Sequence, residues 1–568
     1  MKNAKVIAGG ISIILVLGVV IGVIAGVARS GSSNIEEHVS TTSKYIASIC
    51  NTTDYKQQCV ESIGSVASNN SATPKDYIQA AIGYTISQVQ AAMNKPEGLG
   101  KEANSSVDKM GLEDCKELLD FAIDELQAAF SMVRDNQLHT LADREAELRD
   151  WMSAVISYQQ TCLDGVSQSD IKQELNNGLL KATELTSNAL AIVSAISDIM
   201  SSFNITKNTT TGSATSRKLL EAVGSKGEFP SWVSAADRKL LGSHSRLPPN
   251  AVVAKDGSGQ YKTIAAALAA YPKNLSGRFV IYVKAGVYDE YVTVTKNQIN
   301  VYMYGDGPRK TIITGSKSYA SGVSTFKTAS FAVVGNNFIA KGMGFRNTAG
   351  AAGHQAVALR VQSDQSSFYN CRMEGYQDTL YVHAHRQFYR NCIITGTIDF
   401  IFGDATAVIQ NSQIVVRKPM ENQQNLVTAQ GRVDRRESTG IVIQNCRIVP
   451  DKQLYPTRFK TRSYLGRPWK AYSRTIIMET IIGDFIQADG WMPWSGTLYL
   501  DTLDYREYGN RGPGAATDRR VKWKGYKVIT DRNEAAQFTP GIFLQGNDWI
   551  LSTGIPNYLG FTNARDML

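Results

Sequence analysis

The sequence predicts a chain of two unlike parts: an N-terminal all-α four-helix bundle and a C-terminal all-β right-handed parallel β-helix. Apolar residues recur at helical spacing between residues 34 and 203. Beyond residue 247, short β-type runs alternate with Gly and Asn turns, and no long helical pattern returns. Within that second part an asparagine recurs about every 20 residues, the period of a solenoid. A chain of 568 residues, 43% hydrophobic and 20% charged, has the size and composition for several globular domains.

Residues 1–30 read as a signal peptide or a signal anchor. Lys2 and Lys5 precede an uncharged run of 23 residues, Val6 to Ala28, long enough to span a bilayer. The small residues of AGVARSGSS (25–33) suit cleavage. Either way the remainder enters the secretory route, as a secreted protein or as a precursor anchored through residues 6–28. N-x-[ST] sequons at Asn51, Asn69, Asn104, Asn204, Asn208 and Asn274 agree, as does an early even set of cysteines, Cys50, Cys59, Cys115 and Cys162, able to form two disulfides. The formal charge of +9 suits an anionic partner. The secretory route disfavours nucleic acid as that partner and leaves a membrane surface or an acidic polysaccharide.

Residues 34–203 form the predicted bundle. CKELLDFAIDELQAAFSMV (115–133) sets Leu118, Leu119, Ala122, Leu126 and Ala129 on one stripe. AELRDWMSAVISYQQTCL (146–163) does the same with Leu148, Trp151, Met152, Val155 and Ile156. Residues 204–246 are a polar linker. It carries the dibasic tetrapeptide RKLL twice, Arg217 to Leu220 and Arg238 to Leu241, which reads as two sites for a processing protease.

Residues 247–568 form the β part. FRNT (345–348), FYNC (368–371), YRNC (389–392), IQNS (409–412) and IQNC (443–446) carry Asn347, Asn370, Asn391, Asn411 and Asn445 at intervals of 23, 21, 20 and 34 residues. Counted eight residues beyond the first three asparagines, Gln355, Asp378 and Asp399 fall in one column on adjacent strands, about 4.8 Å apart. Gln377 would approach from the adjoining turn. Two carboxylates that close cannot both ionise freely, so one stays an anion and the other keeps a proton. Asp399 stands in the apolar run GTIDFIFG (396–403) and needs compensation. Arg467 of YLGRPW (464–469) can supply it as a two-pronged partner. Trp469, Trp494, Tyr381, Phe402 and Phe326 can offer flat faces to sugar rings, though core packing is the commoner role for each.

Other chemistries lack their signatures. No G-x-S-x-G and no G-x-x-x-x-G-K-[ST] occurs. His383 and His385 share one strand face, but no further His or Cys cluster completes a metal site, so neither metal nor cofactor is expected.

The motifs GVYDE (286–290), HQAVALR (354–360), GYQDTLY (375–381), GTIDFIFG (396–403) and LGRPW (465–469) stand in order. Together they closely resemble the plant pectin methylesterases, which de-esterify homogalacturonan in the cell wall. The helical region resembles the pectin methylesterase inhibitor domain, most clearly in DWMSAVISYQQTCLDG (150–165). The resemblance implies Asp399 as nucleophile and Asp378 as acid and later base. It implies Gln355 and Gln377 as oxyanion donors, and Arg467, Trp469 and Thr325 as substrate contacts. It also implies a pro-region that inhibits or retains the precursor until cleavage, with separate inhibitor proteins as further partners. One position departs from the family: Ser412 stands where a cysteine commonly pairs with the equivalent of Cys392, leaving Cys371, Cys392 and Cys446 without that bond. The competing readings are a pectin lyase, for which no clustered Ca²⁺-binding carboxylates are seen, a glycosidase, and a non-catalytic binder of other esterases.

Overall fold

A computed structural model describes residues 45–66, 69, 71–202 and 248–562. The segment 6–28, both RKLL sequences and the sequons Asn204 and Asn208 lie outside the described residues. The four remaining sequon asparagines, Asn51, Asn69, Asn104 and Asn274, are all exposed. No helix among the described residues is long and apolar enough to cross a membrane.

Four long helices make the bundle: α1 (Pro74–Ala92), α2 (Ser106–Asp135), α3 (Glu145–Asp164) and α4 (Ser169–Ser194). Helix α1 starts where Thr73 and Asp76 form a reciprocal cap, with Pro74 in the first turn. The Ser105 hydroxyl caps α2 by accepting from the Asp108 N–H at 2.9 Å. The predicted stripe of α2 is wholly buried, as are Leu148, Met152 and Val155 of α3, whereas Trp151 is only half buried. Cys115–Cys162 ties α2 to α3, and Cys50–Cys59 closes the segment ahead of α1.

The β part winds as stacked coils. Three sheets of 11, 7 and 8 strands run along it, and the neighbouring strands pair parallel. Its interior cluster, built from residues such as Phe345, Phe368, Tyr389 and Ile443, contains no residue of the bundle. The seven-stranded sheet carries the candidate site. In chain order it comprises β1 (Val292–Val294), β2 (Phe331–Val333), β3 (Leu359–Val361), β4 (Leu380–Val382), β5 (Ile401–Gly403), β6 (Asn425–Gln430) and β7 (Ser463–Gly466). Each strand pairs with the next in that order.

The repeat has a structural cause and one correction. Gly342, Asn370, Asn391, Asn411, Asn445 and Glu479 occupy equivalent corners, one residue beyond the paired positions Lys341, Tyr369, Arg390, Gln410, Gln444 and Met478. All six have φ between 49° and 64°. Asparagine tolerates that left-handed corner, and its amide also links coils: Asn411 Nδ2 donates to Asn391 Oδ1 at 2.6 Å and Asn445 Nδ2 to Asn411 Oδ1 at 3.3 Å. Asn347 is not one of these corners. It ends the strand Gly344–Asn347, and its buried amide donates to the carbonyls of Lys317 and Val357. The corner of its coil is Gly342, 28 residues before Asn370 rather than 23.

One residue further round each coil, Cys371, Cys392, Ser412, Cys446 and Thr480 form an inward ladder. The three cysteines are buried and free. Ser412 fits that ladder without a disulfide, because its hydroxyl accepts the Cys392 N–H at 3.0 Å and donates to the Gln410 carbonyl at 2.9 Å.

Candidate active site

The register of the coils brings the two aspartates together. Leu380 pairs with Ile401, which places Asp378 beside Asp399 at the entrances to β4 and β5. Both take the left-handed corner conformation, with φ of 61° and 49°. The backbone is fixed there by the Asp378 N–H, which donates to the Ile398 carbonyl at 3.0 Å. Gly403 closes the same motif with φ 125°, and a Cβ there would lie 2.0 Å from the Val382 carbonyl oxygen. The glutamines differ from the eight-residue count. Gln355 pairs with Gln377 rather than with Asp378, since Asn347 was the wrong origin for that count. Both glutamines still face the site.

Arg467, which follows β7, reaches Asp399 in the two-pronged geometry expected. Its Nε donates to Asp399 Oδ1 at 2.9 Å and its Nη2 to Oδ2 at 2.6 Å. Trp494 stacks on that guanidinium, 4.2 Å from ring centroid to Cζ. The Asp378 carboxyl has no hydrogen-bond partner among the described residues. Burial raises its pKa well above the usual carboxylate range, and the Asp399 charge raises it further. Burial also raises Asp399, but the charge and hydrogen bonds of Arg467 oppose that rise directly. Both carboxyls are thus raised, Asp378 the further of the two, so Asp378 is the member that holds a proton more tightly.

A cavity of about 450 Å³ surrounds the pair. It is lined by all the residues singled out in the sequence: Gln355, Gln377, Asp378, Asp399 and Arg467, with Thr325, Phe326, Tyr381, Phe402, Trp469 and Trp494. Tyr381 stacks on Phe402 with ring centroids 4.3 Å apart, and Trp469 meets Phe402 edge-on at 6.0 Å. These aromatics belong to the cavity wall rather than to the interior of the coil. Thr325 and Phe326 lie in a short 3-10 turn just before β2.

The bundle supplies the other wall of that cavity, which the sequence did not reveal. Thr161 and Asp164 at the end of α3, with Asp114 of α2, line it. Thr161 Oγ1 lies 2.9 Å from His383 Nε2 and 3.2 Å from the Tyr381 hydroxyl. Asp164 binds Lys470 at 2.7 Å. Ser324 donates to Asp114, and Lys327 pairs with Asp114 and Glu117. The only sequence trace of this wall is the i, i+3 spacing of Thr161 and Asp164 on one helix face.

His383 and His385 also serve the junction between the halves. Burial drives His383 well below the usual imidazole range, so it is neutral against Thr161. His385 Nδ1 lies 2.8 Å from Asp150 of α3, and its Nε2 lies 3.6 Å from Glu125 of α2. Burial opposes its charge, but those two carboxylates outweigh burial and raise it well above the usual range. Asp150, Asp364 and His385 offer ligand atoms within 4.8 Å of one another. Arg386 already holds Asp364 through bonds of 2.9 and 2.6 Å, which makes this a network of ion pairs.

Comparison with known proteins gives consistent results. Residues 250–547 match the family model Pectinesterase, and residues 44–192 match Plant invertase/pectin methylesterase inhibitor. Pectinesterase/pectinesterase inhibitor 3 of Arabidopsis thaliana is 41% identical over 98% of this chain and 97% of its own. Pectinesterase 1 of Citrus sinensis is 44% identical over 95% of this chain and 92% of its own. Among solved structures, a pectin methylesterase from carrot is 53% identical with a TM-score of 0.55, and it covers 56% of this chain and 99% of its own. That share is the size of the β part alone. In that carrot protein a β-helix of this kind forms a solved structure by itself.

Proposed function

This chain belongs to the pectinesterase family, and from that premise we infer that it hydrolyses the methyl esters of homogalacturonan, releasing methanol and acidic pectin in the plant cell wall. The observation that carries the reading is the in-register pair Asp378 and Asp399, buried in one cavity and made unequal by Arg467. In the proposed mechanism Asp399 attacks the C6 ester carbonyl of a galacturonate methyl ester. The amides of Gln355 and Gln377 donate to the developing oxyanion. Asp378 gives its proton to the departing methoxy group, which leaves as methanol, and an acyl-enzyme remains on Asp399. Asp378, now a carboxylate, takes a proton from water. The resulting hydroxide cleaves the acyl bond, which frees Asp399 as its carboxylate and the galacturonic acid, whose proton passes to solvent. Arg467 keeps Asp399 ionised and aimed, while Trp469, Trp494, Tyr381, Phe402, Phe326 and Thr325 form the sugar-binding wall.

The bundle is proposed to silence the enzyme until a protease cuts at one of the RKLL sequences. The support is its seat over the cavity, through Thr161, Asp164 and Asp114. Methanol release from pectin tests both claims. In residues 248–568, Asp399→Ala and Asp378→Asn should each lower the rate by at least about 10³-fold, with pectin chain length unchanged. Near wild-type rates in either variant would remove the assignment. Equal rates for the full chain and residues 248–568 would remove the silencing role.

A further inference from the structure

A second acid pair takes no part in the ester chemistry. Asp404 follows β5, and Glu437 stands in the segment 431–439 that leaves β6. Both side chains are buried. Asp404 Oδ1 accepts from Gln430 Nε2 at 2.9 Å and from the Thr439 hydroxyl at 2.6 Å. Glu437 Oε1 accepts the N–H groups of Val433 and Asp434 at 2.9 and 2.6 Å. The oxygens left over are Asp404 Oδ2 and Glu437 Oε2, and among the described residues no donor reaches either. The two carboxyls lie within hydrogen-bond reach of each other. Two bare carboxylates facing each other in a buried site are costly, whereas one proton between them satisfies both leftover oxygens. Burial raises both groups, and the Asp404 charge raises Glu437 further, while hydrogen bonds and the charge of Arg432 oppose the rise at Asp404. That proton therefore belongs to Glu437.

The pair ties a loop to the wall of the cavity. Gln430, held by Asp404, accepts the N–H groups of Arg432 and Arg474 on its Oε1 at 3.0 and 2.7 Å. Between Gln430 and Arg432, the Gly431 N–H donates to the Gly403 carbonyl at 2.9 Å. The Trp469 indole lies on Gly431, where a Cβ would come within 2.9 Å of Trp469 Cε3. We propose that Asp404 and Glu437 share one proton, and that this clasp is a positioning element that fixes the floor beneath Trp469 in acid and releases it in base. The proposal rests on the pectinesterase reading, in which Trp469 belongs to the sugar-binding wall. Other charges near the segment are paired elsewhere: Asp434 with Arg436, Arg435 with Asp54, Arg474 with Asp504, Asp164 with Lys470 and Arg149 with Glu145. Tyr381 and the neutral His383 also face Asp404. The buried Arg432 is left to match the single negative charge of the protonated pair. Loss of the proton sets two anions against that one cation. The clasp is complete below the free glutamate value of about 4.3 and weakens as pH climbs through the raised one.

The test uses the full chain, with Glu437→Gln and Asp404→Asn as variants in which an amide N–H replaces the shared proton and does not titrate. At neutral pH the wild type should show a protonated-carboxyl infrared band that Glu437→Gln lacks. In protein labelled with fluorotryptophan, the Trp469 fluorine resonance, assigned by its loss in Trp469→Phe, should shift as pH rises in the wild type and stay in place in both variants. Methanol release, read once the linker 204–246 has been cut, gives the consequence for the reaction. On the alkaline side KM for pectin should rise about three- to tenfold in the wild type and less than about twofold in either variant, while kcat follows one pH profile in all three. Absence of the infrared difference, or a Trp469 resonance that shifts alike in all three proteins, overturns the proposal, as does an equal rise of KM in the variants. If no protein releases methanol while the band and the resonance behave as stated, the esterase reading fails and the clasp stands.

Discussion

The bundle and the β-helix both close around apolar interiors, but they constrain their side chains differently. In the bundle an amphipathic stripe fixes which face of α2 or α3 is buried, and one disulfide fixes how the two helices lie together. In the β-helix the coil length fixes which residue stands beside which, and the cysteines play no covalent part. A face can cover a surface, whereas a register can place two carboxylates side by side. The chemistry accordingly sits on the stacked coils, and the cover comes from the helices.

The strongest way to break this contrast is to damage the stacked interior. Phe368 is fully buried and stacks on Tyr389 with centroids 4.9 Å apart. Phe368→Ala should cost about 3–5 kcal/mol, read as a lower denaturation midpoint of the β-helix with the bundle transition unmoved. The next test acts on the other half alone. Reduction of Cys115–Cys162 and Cys50–Cys59 should destabilise the bundle by about 2–5 kcal/mol. The β-helix midpoint should stay in place in the same scan with reductant, since its cysteines are free. A shift of both transitions would show that the halves do not unfold separately.

The smallest expected effect probes the seam between them. His385 is raised above its free value of about 6.5 by Asp150 and Glu125 when the bundle is docked. A raised folded pKa contributes stability that is complete below the free pKa and is lost as pH climbs through the docked one. Docking should therefore loosen as pH rises above about 6.5, by at most about 1.4 kcal/mol per pH unit. The readout is the ratio of full-chain to β-helix activity, which should climb with pH in the wild type and stay flatter in His385→Gln.

Much of the site was legible because a register is written in sequence spacing. The offset between Asp378 and Asp399 could be counted, and the demand of Asp399 for a cation pointed to Arg467. The count failed at Asn347 for a physical reason. That asparagine ends a strand and satisfies carbonyls of neighbouring segments, while a glycine holds the corner that asparagine holds in the next four coils. Sequence patterns do not separate the two roles. The cavity's second wall was not legible either. Asp164 and Lys470 meet across 306 residues of chain, and no period links a helix end to a coil. Thr161 and Asp164 look like ordinary polar residues at the end of a helix until the β-helix is placed against them.

The unequal lengths of the coils indicate where this architecture is free to change. The two coils around the reactive pair are the shortest near the site, with 21 residues from Arg372 to Ile393 and 20 from Ile393 to Gln413. Their neighbours are longer, with 28 from Gly344 to Arg372 and 34 from Gln413 to Arg447. The surplus lies in the segments entering or leaving the site sheet, such as 348–358, 417–424 and 431–439. Those segments border the cleft and, in 431–439, carry Asp434, Arg435 and Arg436, which meet the bundle at Ser187 and Asp54. Residues can thus be added to those segments without touching the 21- and 20-residue spacing that sets Asp378 beside Asp399.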